Sequence, residues 1–494
     1  MLRLLIFISC LFPLVVSAAD SDKLQLEEAV YTTLGGKKVK AEKGTLSILE
    51  NRNDPTSTKI KVQFVRLKSR KKTNLSPVIY LEGGPGSSCS WQAENPHMLE
   101  RWLPILAQRD VILYDQRGTG AASDRLTWIN FLPLPEDVLV SEEAANAHYL
   151  DMTQRALPHW KENGIDITGY TTLSNAQDID ELRQALGIQQ FAILGFSYGT
   201  HLGQAYLKYF GTSVEKAILV GVEGLDENFK VASVLDEQLA TISAIVTTDS
   251  TLRQEVPDLT ALYQRVSDKL TASPIELELQ SPLTGQPVTM KVGKFGLDMI
   301  LFRDFGDASD LPVFPRLLYT IDQGDYSVFR WFVQKRFSGL FGLQAMAAST
   351  DIASGFSPER KQMIERSAAQ SRFKNIVNTP YLAMAEVWPD VDLGEDYRAP
   401  FTSSVPTLIL SGTLDSNTPV QQGERLAKQL TNAHHIIVEN AGHEQIMTHP
   451  KAGQAIVDFL AGKDVSSVTA AYPPLQFIPV SGDEGTDRHP SLQE

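Results

Sequence analysis

Ser197 sits in Gly195-Phe196-Ser197-Tyr198-Gly199, directly behind the apolar run Phe191-Ala192-Ile193-Leu194 and ahead of a helix-patterned stretch. A short, continuous apolar run reads as a buried strand. Two glycines around one serine let the chain reverse sharply where a Cβ would clash. The segment therefore predicts a strand, a tight turn with the serine at its tip, and a helix. Such a turn holds a hydroxyl at the carboxyl edge of a sheet, free to attack a carbonyl carbon. The five-residue pattern alone is common by chance, and its weight comes from what surrounds it.

Two earlier runs, Val78-Ile79-Tyr80-Leu81 and Val111-Ile112-Leu113-Tyr114, carry the same mark of parallel strands buried on both faces. Ala217-Ile218-Leu219-Val220, Pro406-Thr407-Leu408-Ile409-Leu410 and His435-Ile436-Ile437-Val438 continue the series. Alternation over residues 45–49 and 59–67 predicts antiparallel strands that open the sheet. Ser174 and Gln177 have capping-box spacing, Ile179, Leu182 and Leu186 mark one helical face, and Gly187 ends it. The helix behind the serine is expected over 200–210, stopped at Gly211, and a closing helix over 454–460. Between the strands at 217–220 and 406–410 the pattern is mostly helical, broken by one hairpin of 275–279 and 288–292 about Thr284-Gly285. The expected fold class is α/β: a mostly parallel central sheet flanked by helices, with a large, mainly helical cap inserted between sheet strands. The chain divides into a leader (1–18), a core in two parts (19–222 and 401–465), the cap (223–400), and a tail (466–494) read as loop and partly disordered.

With 494 residues, 43% of them hydrophobic and 21% charged, the chain can bury a large core. Its formal charge of −14 argues against nucleic acid and anionic membrane as partners, since both call for basic surface. Residues 1–18 read as a secretory signal: Arg3, an apolar stretch over 4–16, then the small-residue site Val16-Ser17-Ala18. That stretch is short of the roughly 20 residues that span a bilayer. Stable membrane insertion is therefore not expected, and the destination is the periplasm or the medium. Cys10 would leave with the signal, and Cys89 would then stand alone, without an internal disulfide, either buried or reactive.

A serine hydroxyl is a poor nucleophile until a base takes its proton and a third group orients that base. In a turn of this kind the chain order is serine, acid, histidine. Asp415 follows Ser411-Gly412-Thr413-Leu414, just past one strand, and His443 follows Asn440-Ala441-Gly442, just past the next. Both are loop positions at the carboxyl ends of strands, the edge where such sheets carry their sites. His201 shares a helix with Ser197, His434 and His435 lead into or sit on a strand, and His449 precedes Pro450 at a helix start. His97, His148, His159 and His489 follow no strand of the required order. The tetrahedral intermediate carries an oxyanion that two backbone N–H groups must meet. Tyr198 supplies one by its position, and Glu82-Gly83-Gly84-Pro85-Gly86 the other, with Gly84 the favoured donor.

Four segments, Glu82-Gly83-Gly84-Pro85-Gly86, Asp115-Gln116-Arg117-Gly118-Thr119-Gly120, Gly195-Phe196-Ser197-Tyr198-Gly199-Thr200 and Gly412-Thr413-Leu414-Asp415, together resemble the prolyl aminopeptidase and tripeptidyl aminopeptidase group of α/β-hydrolase serine peptidases. The Ser-Tyr-Gly-Thr turn and the large insertion are nearer the tripeptidyl branch. The resemblance runs through most of residues 75–460 and is weakest in the insertion. It implies an α/β-hydrolase fold and an exopeptidase acting at a free N-terminus, with Ser197, Asp415 and His443 as its triad. It also implies a mainly structural Asp115-Gln116-Arg117-Gly118 loop that braces the 82–86 loop. The chain departs from the group in three places. Glu82 stands where many relatives have His, Ser123 is displaced by an extra alanine, and Met384 stands where the tripeptidyl branch often carries a cysteine.

An aminopeptidase must hold a cationic N-terminus, which calls for carboxylates within reach of the site. Glu223, just past a sheet strand, and Glu386, in an apolar segment ending at Trp388, are the candidates, although an ordinary salt bridge would account for either. The expected function is an exported serine aminopeptidase working on peptide substrates through an acyl-enzyme, with neither metal nor cofactor. A carboxylesterase or other small acyl hydrolase would use the same triad. A non-catalytic binding protein on the same scaffold would have no need of the intact set of groups.

Overall fold

The structure, a computed structural model, describes residues 23–306, 308–482 and 489–492. The expected signal segment, with Cys10, lies outside the described residues. Three antiparallel strands come first: β1 (Leu24–Thr32), β2 (Lys38–Leu49) and β3 (Lys59–Leu67). β4 (Val78–Leu81) and β5 (Val111–Tyr114) follow, then the short β6 (Thr127–Ile129), which leaves the sheet. β7 (Phe191–Phe196) and β8 (Val214–Val220) return to it. β9 (Ile275–Gln280) and β10 (Pro287–Val292) make the hairpin expected in the insertion, and β11 (Gly342–Gln344) pairs back to β6. β12 (Thr407–Gly412), β13 (Ala433–Glu439) and β14 (Ala470–Ala471) complete the main sheet. Its order is β1-β2-β3-β5-β4-β7-β8-β12-β13-β14, parallel from β5 onward. Every residue of β4, β5, β7 and β12 is buried, as strands covered by helices on both faces must be.

Register positions the site. Leu81 pairs with Gly195, so the loops leaving β4 and β7 start side by side. Leu410 pairs with Val220, and Gly412 with Val438, so β8, β12 and β13 release their loops along the same edge. Between β8 and β12 lies the mostly helical insertion. It packs around a core separate from the sheet's, in which Phe305, Phe314, Phe332 and Phe337 are buried together with Val138 and Leu139 from the chain ahead of β7.

Three sequence expectations need correction. The cap of the helix Thr172–Ala185 is Thr171, one turn before the expected Ser174. In an extended backbone its Oγ1 accepts the Ser174 N–H at 3.1 Å, so Ser174 is the capped residue. The closing helix starts at Pro450, whose missing N–H costs nothing in a first turn. The tail is mostly loop as expected, but its described part is packed: β14 pairs with Val438 and Glu439, and Phe477, Ile478 and Val480 are buried against the insertion. Among the described residues, no helix is long and apolar enough to cross a membrane.

The region in front of the sheet is tied by Arg117, which is fully buried. Its Nε and Nη2 form a fork on Asp178 at 2.8 and 2.7 Å, and its Nη1 donates to Glu50 O and Gly169 O, both at 2.5 Å. Asp178 keeps a second cation in Arg52, so removing Arg117 chiefly strands the buried carbonyls of Glu50 and Gly169. Arg117→Ala is expected to lower unfolding free energy by about 3 kcal/mol, read as a drop in the urea midpoint at unchanged slope.

Candidate active site

The elbow is formed as the sequence suggests, and the reason for each glycine is geometric. Ser197 has φ 55° and ψ −126°, a strained backbone for a residue with a side chain. A Cβ on Gly195 would lie 2.4 Å from Gly199 O, and one on Gly199 would lie 2.0 Å from Leu81 O. Ser197 N–H donates to Val220 O at 2.9 Å, and Thr200 returns both its N–H and its hydroxyl to Ser197 O at 2.8 and 2.7 Å. The turn is thus pinned from both sides while the hydroxyl stays out of the pairing.

Asp415 and His443 meet after β12 and β13. His443 Nδ1 donates to Asp415 Oδ2 at 2.8 Å. Asp415 is held in turn: Oδ1 accepts the Asn417 and Thr418 N–H groups at 2.9 Å, and Oδ2 accepts the Thr418 hydroxyl at 2.5 Å. A proton on Nδ1 leaves Nε2 with its lone pair. Phe196 packs on the imidazole with ring centres 4.8 Å apart. Gly221 gives it room, since a Cβ there would sit 3.1 Å from His443 Cε1. The insertion holds the loop from above, with His443 N–H donating to Gly306 O at 2.7 Å. Burial disfavours the imidazolium, but the Asp415 charge and hydrogen bond outweigh it, and the His443 pKa lies above its ordinary value. Ser197 and His443 line the same cavity, of about 470 Å³, without a hydrogen bond between them.

The 82–86 loop passes directly over the serine: a Cβ on Gly83 would lie 2.9 Å from Ser197 Cβ. Gly83 N–H is taken by Glu82 Oε1 at 3.0 Å. Gly84, at φ 118°, has no acceptor for its N–H among the described residues. Tyr198 opens the helix Tyr198–Phe210, where a first-turn N–H has no partner within the helix.

Residues 76–267 match the family described as alpha/beta hydrolase fold, and residues 382–466 the one described as TAP-like protein. The chain has the α/β-hydrolase fold. Over 151 residues it is 28% identical to a tripeptidyl aminopeptidase of Streptomyces lividans, covering 29% of this chain and 28% of that one. Over 146 residues it is 26% identical to a proline iminopeptidase of Xylella fastidiosa, covering 30% and 32%. Over 151 residues it is 33% identical to the serine protease Hip1 of Mycobacterium tuberculosis, covering 28% of each chain. The matched stretch thus spans about a third or less of the length of these curated relatives.

The hydrolase cavity draws its walls from both the sheet edge and the insertion. Glu223 lies on it, paired with Lys230 Nζ at 3.0 Å. Glu386 does not. It caps the five-residue helix Tyr381–Ala385 on the outside, because that helix turns Tyr381 to the cavity and Met384 into the core. The second carboxylate on the insertion side is Asp351, which sequence reasoning passed over. It sits on the helix Ala345–Ser354, and burial together with the charge of Glu223 holds its pKa well above the usual carboxylate range. The available signal was a single acid in an alanine-rich apolar helix, the same kind of signal that had favoured Glu386.

The remaining groups are structural. Gln116 Nε2 donates to Glu82 O at 2.8 Å, and Asp115 Oδ1 accepts the Cys89 and Ser90 N–H groups at 2.7 and 2.8 Å, so this loop does brace the 82–86 loop. Cys89 is buried, and burial pushes its thiol well up, away from reactivity. His201 is buried behind the elbow, with Nδ1 donating to Gly224 O at 3.0 Å. An NMR titration should place the His443 imidazole above its ordinary 6.5. In Asp415→Asn burial is opposed only by the smaller effect of the Glu444 charge, and the pKa is expected to fall below that value.

Proposed function

We propose that this hydrolase is an exported serine aminopeptidase that releases residues from the free N-terminus of peptides through an acyl-enzyme. One observation carries the reading. Ser197, held at a strained turn, shares a cavity with His443, and that cavity also carries two acid groups suited to an ammonium. Export is part of the proposal and rests on residues 1–18.

In this mechanism rotation of the Ser197 side chain brings Oγ to His443 Nε2. Nε2 takes the proton as Oγ attacks the peptide carbonyl carbon. Asp415 keeps the imidazole in the Nδ1–H tautomer and offsets the charge of the imidazolium. The oxyanion accepts from Gly84 N–H and Tyr198 N–H, which are oriented before substrate arrives. Collapse expels the amine with the proton from Nε2, leaving the acyl-enzyme. Water, deprotonated by the same nitrogen, then hydrolyses the ester. The insertion acts as the cap, and in it Asp351, with Glu223 beside it, receives the substrate ammonium. Glu223 is already matched by Lys230, which leaves Asp351 to ionise when the ammonium arrives.

The test is a panel of free and N-acetylated mono-, di- and tripeptide fluorogenic substrates. Free peptides are expected to be cleaved and acetylated ones not. Ser197→Ala is expected to lose activity on the order of 10⁶-fold and fluorophosphonate labelling with it. Equal cleavage of acetylated substrates, or turnover of simple esters only, would move the assignment to a general acyl hydrolase. Asp351→Asn should raise KM for free peptides about tenfold at little cost in kcat. The base must be neutral and its pKa is raised. kcat/KM should therefore climb with pH through a limb lying above the ordinary histidine value of 6.5.

A further inference from the structure

The cleft continues past its acidic wall. A second cavity, of about 330 Å³, adjoins the first, and Arg303, Arg336 and Tyr381 line both. Their charges differ. The first carries Glu82, Glu223, Asp351 and Glu444 besides its cations, whereas the second carries Arg303, Lys335 and Arg336 and no carboxylate among the described residues. In a chain with 59 acidic residues against 45 Lys and Arg, composition alone does not supply such a wall.

Two of the three cations are already matched. Lys335 Nζ donates to Asp304 Oδ1 at 2.9 Å and to Asp310 Oδ2 at 2.8 Å, and Arg336 pairs with the same buried Asp304. Arg303 is not. It is exposed, its guanidinium lies 5.3 Å from the ring centre of its neighbour Phe302, and it pairs with no carboxylate among the described residues. Its place in the last turn of the helix Lys294–Asp304 accounts for a cation there through the helix dipole, but not for its facing two cavities.

We infer that Arg303 docks a carboxylate of the substrate, so that the cleft binds a short peptide as a zwitterion, ammonium toward Asp351 and Glu223, carboxylate at Arg303. This rests on the aminopeptidase reading. A guanidinium presents a planar fork that fits both oxygens of a carboxylate, and a site at the edge of solvent can be reached without stranding a charge. Arg303 and Asp351 line the same cavity, so one short extended peptide can meet both. The carboxylate has two possible sources, the C-terminal α-carboxylate or an Asp or Glu side chain.

Binding is measured on Ser197→Ala protein, which leaves peptides intact. Three ligands are compared: a free tripeptide acid, its C-terminal amide, and the amide with Glu in place of an internal Gln. The acid, or the Glu-bearing amide, is expected to bind about tenfold tighter than the uncharged amide. The first result identifies the α-carboxylate as the source, the second a side chain. Arg303→Gln should abolish the preference with Tm unchanged, and Arg303→Lys should keep part of it. Equal binding of all three ligands, or a preference that survives Arg303→Gln, overturns the inference. Turnover of the same peptides by the Ser197 enzyme tests the peptidase reading separately. Hydrolysis of all three without discrimination sustains that reading and sinks the Arg303 site. A binding preference without hydrolysis does the reverse.

Discussion

The contact between Gly199 and the end of β4 fixes the geometry of this site. With hydrogen in place of a side chain, the helix behind Ser197 runs its first turn against Leu81 O, a gap that any Cβ would close to 2.0 Å. The loop after β4 and the N-terminus of the helix are thereby brought around one point, and the residue between strand and helix is forced to φ 55°. Strain of roughly 1–3 kcal/mol at one residue persists only where neighbours over-determine the backbone. Here they do, through Val220 O on one side and both groups of Thr200 on the other.

A second layer keeps that point open. The 82–86 loop is held at its start by the side chain of Gln116, and the chain just past it by that of Asp115. Behind them Arg117 and Asp178 form a buried pair with its hydrogen-bonding capacity used on backbone carbonyls as well. Glu82 shows how a buried acid is accommodated at the start of that loop. Its carboxyl, pushed up by burial, is satisfied by Gly83 N–H, Tyr80 OH at 3.1 Å and Gln92 Nε2 at 2.8 Å. The acid thus serves as a local bracket for the loop.

Parallel strands buried on both faces announce themselves as unbroken apolar runs, and for that reason β4, β5, β7, β8 and β12 were legible, together with the loops that follow them. The chain order of Ser197, Asp415 and His443 was legible on the same ground, because each is a loop residue at the end of such a run. β1 was not. Its Leu26 and Val30 are 50% and 59% exposed, so it lacks a buried face and the alternation that would betray one. The insertion was legible only in outline. Its acids are assigned to cavity or solvent by tertiary packing, and local sequence could not separate Asp351, which faces the cavity, from Glu386, which does not.

The tail gives the insertion a further anchor, besides the pairing of β11 with β6 and the bond from His443 N–H to Gly306 O. The chain enters the insertion from β8 and leaves it into β12, two neighbouring strands, which by themselves would make a hinge. After the closing helix, however, the tail adds β14 to the far edge of the sheet and then carries Phe477, Ile478 and Val480 into the insertion, with Ile478 N–H donating to Pro312 O at 3.0 Å. The insertion that walls the cavity at Ser197 is thereby sewn to the sheet by chain that comes back to it after the fold has closed, so the order of the cavity wall depends on the last stretch of the sequence as well as on the middle.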